Sequence, residues 1–222
     1  MRRVLVVAAH ADDDVLGCGA TMARLASEGA AVRVEFLSDG VASRDMQPQD
    51  AAARRADAVR ALAALGVDEV EFGEFPDNAM DTVSRLDVCK RVSQTVEQFE
   101  PDTVLTHSVT DLNVDHRITA EAALVASRPQ PGSPVRRVLN FEVPSSTGWR
   151  PSGDRFDPRF HMDVTDFVAA KLAALHEYDI EMRPWPHARS YEAVEALMRW
   201  RGSAVGVEAA ESYEVSLWLE AR

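Results

Sequence analysis

The chain has 222 residues, 36 acidic against 24 basic, and a net charge of −12 at pH 7. That length suits one α/β domain with an ample core, and the charge argues against nucleic acid or an anionic membrane as partner. No apolar run reaches bilayer-spanning length and no signal-like segment stands before the first strand. A cytoplasmic protein acting on a small molecule is therefore expected, with homo-oligomerisation left open.

In chain order, an apolar run at residues 4–9 reads as a buried strand and a helical pattern follows over 15–28, closed by Gly29. A second strand over 32–37 ends in the turn Ser38-Asp39-Gly40, whose place at a strand end makes it a candidate for the rim of a site. A helix over 49–65, a strand over 69–72, a helix over 81–100 and a strand over 102–106 come next. After the polar stretch 107–116 a helix runs to about 127, then a strand over 137–142, helices over 165–178 and 191–201, and a strand over 213–219. Strands alternating with helices imply right-handed crossovers: a single Rossmann-like α/β domain spanning 1–222, with a largely parallel sheet flanked by helices and elaborated C-terminal loops. Cys18 and Cys89 fall in helical patterns and read as free thiols.

Two polar clusters stand at strand ends, where α/β folds place ligands. The first is His10, Asp12, Asp13 and Asp14, and the second lies in HSVTDLNVDH, residues 107–116. A core has no use for so much charge, because a buried unpaired carboxylate is costly. His10 and Asp13, three residues apart on one turn, can address one ion. His116 can complete a two-His, one-carboxylate set if the first and fourth strands are neighbours. Asp12, between the ligands, is then free to act as general base toward a water acidified by the ion. The bland alternative, an acidic cap on the helix that follows, accounts for the aspartates but not for the histidines.

AHADDDVLGCGAT resembles the AHPDDE signature of the PIG-L-like (LmbE-like) zinc N-deacetylases, and NVDH resembles their HxDH motif. Arg54, Asp57 and Leu65-Gly66 resemble the family's RxxE…LG helix, and FPDN at 75–78 another family segment. The resemblance implies that His10, Asp13 and His116 bind Zn2+ or another divalent metal and that Asp12 is the base. It places Asp115 behind a ligand or catalytic imidazole, and Arg54 and Asp77 on sugar hydroxyls. Ala11 stands where the family has Pro, and Asp14 where it has Glu. Asn113 replaces a histidine that would serve the oxyanion or the leaving amine. Asn donates a hydrogen bond but delivers no proton, so His107, or His187 in PWPHARS, is expected to supply the imidazole, with His107 preferred because it shares the loop of His116.

The activity this implies is removal of an N-acetyl group from an amino-sugar derivative: a glycoside, nucleotide sugar or secondary-metabolite intermediate. A zinc amidase on a non-sugar N-acyl group and a non-catalytic sugar- or nucleotide-binding module are the alternatives. His161 and His176 read as structural, and Trp149, Trp185 and Trp200 as packing, with the first two as candidate pocket walls. Arg189 and Arg201 read as solvated salt bridges, with a substrate phosphate as the other possibility.

Overall fold

Alternation along the first strand decides the architecture. In β1 (Arg3–Ala8), Val4, Val6 and Ala8 join one core cluster, Leu5 and Val7 another, and all five are fully buried. A strand buried on both faces belongs in the middle of a sheet covered on both sides. The structure is a computed structural model and describes residues 1–38, 48–149 and 155–220; the candidate turn at Asp39-Gly40 lies outside them.

After β1 come α1 (Asp13–Ser27), β2 (Ala31–Ser38), α2 (Pro48–Ala64), β3 (Glu69–Phe75), α3 (Arg85–Phe99) and β4 (Thr103–His107). They are followed by α4 (Val114–Ala126), β5 (Arg137–Phe141), β6 (Phe160–Asp163), α5 (Val168–His176), α6 (Tyr191–Ser203) and β7 (Ala210–Trp218). The described strands form one sheet in the order β3-β2-β1-β4-β5-β7-β6. The first five run parallel, and β7 and β6 are antiparallel additions at the edge. Residues of α1, α2, α5 and α6 pack on one face and residues of α3 and α4 on the other. The expected α/β architecture is thus present, with β1 and β4 adjacent. The strand order reverses at that pair, so the loops after β1 and β4 open into the crevice of a doubly wound sheet.

Several elements differ from expectation, among them β6, a strand not among those expected from the sequence. The helix expected from residue 81 begins at Arg85, after a 3-10 turn over Met80–Thr82. The amides of Asn78 and Met80 donate to Asp115 (2.7 and 3.0 Å), which ties this segment to the site. The helix expected over 165–178 divides into a 3-10 turn over Thr165–Phe167 and α5. β7 starts at Ala210 because its first half pairs with β6 before its second half pairs with β5.

Helix α1 is broken inside Gly17-Cys18-Gly19, where Cys18 takes φ −146° and ψ 23°. Phe141 leaves no room for a side chain at Gly17, since a Cβ there would lie 2.3 Å from the ring. The break frees backbone groups, and a buried ion pair takes them up. Lys171 Nζ donates to the Leu16 carbonyl (2.8 Å) and to Glu211 (2.6 Å), while Glu211 accepts from the amides of Ala20 (3.1 Å) and Thr21 (2.7 Å).

Candidate metal centre and active site

The turn after β1 is wound tightly enough to bring its own side chains together. Asp12 adopts φ 129°, a left-handed conformation uncommon outside glycine, and its carbonyl accepts from Leu16 (2.9 Å) to start α1. Asp13 folds back so that its Oδ2 accepts from the His10 amide at 3.1 Å and meets His10 Nδ1 at 3.0 Å. From the other strand end, Asn113 caps α4 by accepting from the Asp115 amide (2.8 Å). The cap places His116 in the first turn of that helix, with Nε2 3.1 Å from the same Asp13 oxygen. His10, Asp13 and His116 thus offer three donor atoms within 4.8 Å of one another, all on buried residues.

These residues fit a divalent cation. Asp13 Oδ1 and His116 Nε2 are buried without a hydrogen-bond partner, a condition that costs free energy unless a ligand meets it. Each imidazole is also backed on its other nitrogen by a carboxylate, as metal-bound histidines generally are. His10 Nε2 lies 3.1 Å from Asp115 Oδ2, and His116 Nδ1 lies 3.2 Å from Asp111 Oδ2. The buried set His10, Asp77 and Asp115 could also surround an ion. Asp115 is already occupied by the amides of Asn78 and Met80, which suits a supporting role better.

Charge in the cluster points the same way. Burial works against a charged imidazole, yet the surrounding carboxylates win: His116 is pushed up to about 9 by Asp13 and Asp111, and His10 is raised well above its ordinary value by Asp115, Asp13 and Asp77. Asp13 is lowered despite its burial, chiefly by His116. The carboxylates demand positive charge here, and a metal ion would supply it in place of two protons. Burial pushes Asp12 up to about 6, with the Arg189 guanidinium opposing.

His107 departs from its expected role. It is fully buried beneath His116, with ring centroids 4.0 Å apart, and its Nε2 accepts from the Ala9 amide (2.9 Å). Burial and the charge of His116 push it down to about 3. It lies beneath the site, with one ring nitrogen engaged by the backbone. Asn113 has its oxygen on the α4 cap and donates through Nδ2 to Asn78 Oδ1 (3.0 Å). Asp77 approaches His10 Nε2 at 3.1 Å. Arg54 pairs with Glu181 and reaches the Ala11 carbonyl at 3.4 Å. His187 is exposed and accepts from the Arg189 amide at 3.0 Å. Trp149, Trp185 and Trp200 are exposed rather than packed in the core, whereas His161 bonds Ser212 and His176 packs on Tyr191. Cys18 is buried, Cys89 partly so, and both are free thiols.

Two residues join the site unexpectedly. Asp111 is fixed by the hydroxyls of Ser146 (3.0 Å) and Thr147 (2.6 Å) against His116. The loop that holds it lies some 35 residues on, so no local pattern marks it. Arg189, instead of a solvated salt bridge, donates to Asp12 Oδ2 at 2.7 Å and through Nε to Ser145 at 3.1 Å. No local spacing announces that contact. Arg201 is held by both oxygens of Glu142.

A family model described as PIG-L, GlcNAc-PI de-N-acetylase, matches residues 5–127. An uncharacterized deacetylase, YaiS, of Escherichia coli is 30% identical over 182 residues, which is 79% of this chain and 89% of that protein. The 4-oxalmesaconate hydratase of Pseudomonas putida is 32% identical over 199 residues, 78% of this chain and 72% of that protein. In fold, the chain is similar to N,N'-diacetylchitobiose deacetylase of Pyrococcus horikoshii, with a TM-score of 0.79 at 20% identity over 97% of this chain and 84% of that one.

Proposed function

The chain belongs to the PIG-L, GlcNAc-PI de-N-acetylase family, and from that premise we propose that it is a zinc-dependent hydrolase that removes the N-acetyl group of an amino-sugar derivative. The observation that carries this reading is the pair of imidazoles, His10 and His116, each backed by a carboxylate and facing Asp13, with Asp12 next to the ligand set. A zinc ion held by His10, Asp13 and His116 would supply Lewis acidity for the acetamide carbonyl and lower the pKa of a water.

The remaining steps belong to the chain's own groups. Asp12 takes a proton from the attacking water at a carboxylate oxygen. Asp115 and Asp111 keep the two ligating rings oriented. With His107 buried and its Nε2 engaged, Asp12 is the described carboxyl placed to return the proton to the departing nitrogen, which leaves as the free amine beside acetate. Asp77 and Arg54, on the two sides of the turn, are the groups proposed to meet sugar hydroxyls, and Asn78, Asn113 and His187 line the approach. The substrate is a small molecule, and no described helix is long and apolar enough to cross a membrane.

A second reading follows from the 32% identical hydratase: addition of water to a carbon–carbon double bond at the same site. Hydration has no amine to expel, which agrees with a site where Asn113 stands in place of an imidazole. One experiment separates the two. Acetate release is measured from free, glycosidic and nucleotide-linked N-acetylglucosamine, with loss of diene absorbance from unsaturated acids in parallel. Acetate release that falls by about 10²–10⁴ in Asp12→Asn at unchanged zinc content is expected. Loss of diene absorbance without acetate would replace the first reading by the second.

A further inference from the structure

The guanidinium of Arg189 is an unexpected group to find against the proposed base, and its free hydrogen-bonding capacity shows what it is for. A guanidinium carries five N–H donors in a planar fork. Nη1 is on Asp12 Oδ2 (2.7 Å) and Nε on Ser145 Oγ (3.1 Å). Among the described residues Nη2 meets no partner and is not enclosed, and about a fifth of the side chain (21%) reaches solvent. A cation anchored at two points beside the metal set thus keeps one terminal nitrogen, Nη2, unengaged.

The segment that carries Arg189 is braced for presentation. The Arg183 amide donates to the Arg189 carbonyl (3.1 Å), the His187 amide to the Pro184 carbonyl (3.1 Å) and the Ser190 amide to the His187 carbonyl (2.9 Å). Ser190 then caps α6 by accepting from Ala193 (3.0 Å). Arg183 is exposed on the same turn, a second cation on this segment in a chain of net charge −12. A neutral sugar would need only hydroxyl partners, the part proposed for Asp77 and Arg54. A guanidinium nitrogen left free beside the site favours an anionic oxygen, because a hydrogen bond between two charged groups is stronger than one to a hydroxyl.

We propose that Arg189 is a specificity-determining residue that binds an anionic group of the substrate, a carboxylate or a phosphate, next to the metal site. The substrate class is then an acidic N-acetylated amino sugar, an assignment that rests on the deacetylase reading above. The anion accepts from Nη2 while Asp12 and Ser145 hold Nη1 and Nε, and Arg201, with its fork filled by Glu142, plays no part.

The test uses three probes: N-acetylmuramic acid for a carboxylate, N-acetylglucosamine 1-phosphate for a phosphate, and N-acetylglucosamine as the neutral reference. Turnover is measured on zinc-loaded protein, and binding by calorimetry on metal-free protein. Wild type is expected to favour one anionic probe over the neutral sugar by about tenfold or more in kcat/KM and in affinity, and the favoured probe identifies the group. Arg189→Gln should bring that ratio toward one. Arg189→Lys retains the charge beside Asp12, and should show a reduced ratio even if the Gln variant fails to fold, because an ammonium lacks the fork. Equal treatment of charged and neutral probes by wild type, or a preference that survives both substitutions, would overturn the anion site. Preferential binding of an anion with no acetate released from any probe would keep the anion site and overturn the deacetylase reading instead.

Discussion

Two clusters of buried charge lie on either side of α1, and they are finished differently. Beneath the break in α1, Lys171 and Glu211 are almost fully enclosed, and their charges meet each other, a carbonyl and two amides. At the N-terminus of the helix, His10, Asp13 and His116 are as deeply buried, yet Asp13 Oδ1 and His116 Nε2 have no hydrogen-bond partner. Burial and charge are common to both, so neither marks a functional site by itself. What separates them is satisfaction: the first cluster repairs a broken helix and is complete, whereas the second keeps two unpartnered polar atoms that a bound cation could meet.

That contrast can be broken from either side. Lys171→Met should leave Glu211 buried without its partner and cost about 3–5 kcal/mol. The thermal transition would then fall by roughly 6–20 °C, with zinc affinity unchanged. A variant with weakened zinc binding and an unchanged transition would reverse the roles assigned to the two clusters. Asp111→Asn should weaken zinc binding by about 10–100-fold while the fold persists; unaltered affinity would mean that the His116–Asp111 contact does not orient the ligand. A smaller effect sharpens the distinction at a third buried charge. Glu35 is fully buried, and burial pushes its carboxyl up to about 7 although Arg91 lies 2.6 Å away. The folded state therefore holds that proton more tightly than the unfolded chain does, so stability declines as pH rises from about 4.5 to about 7. Glu35→Gln should remove on the order of 1 kcal/mol of that decline. Urea melts at pH 5 and pH 8 that change in parallel for both proteins would contradict it.

Much of this was legible in the sequence because the signals are local. The apolar run before His10 gives a strand buried on both faces, Gly29 and Gly66 close helices with φ of 83° and 74°, and the His10–Asp13 spacing follows from a single turn. The parallel sheet follows from alternation of strands and helices, whereas the adjacency of β1 and β4, on which the three-ligand set depends, comes from the strand order of the structure. What stayed hidden depends on distant partners. The break in α1 is stabilised by Glu211, some 190 residues on, and the late start of α3 by Asp115. His107 shares a loop with His116, which made it the expected acid, but sequence proximity does not say which way a ring faces. As the last residue of β4 it turns under the site to accept from Ala9, and the open side is left to Asp12 and Arg189. Asp111 is held behind His116 by the Ser146 and Thr147 hydroxyls, which come from a loop some 35 residues on.

The measurement that bears most directly on the central claim is a calorimetric zinc titration of the metal-free protein, comparing wild type with His116→Gln. Wild type is predicted to bind about one ion per chain and to gain thermal stability as it does so, and the variant to lose both. Equal affinity and stoichiometry in the two proteins would contradict the account, because the orphaned atoms beside Asp13 would then not be the metal site.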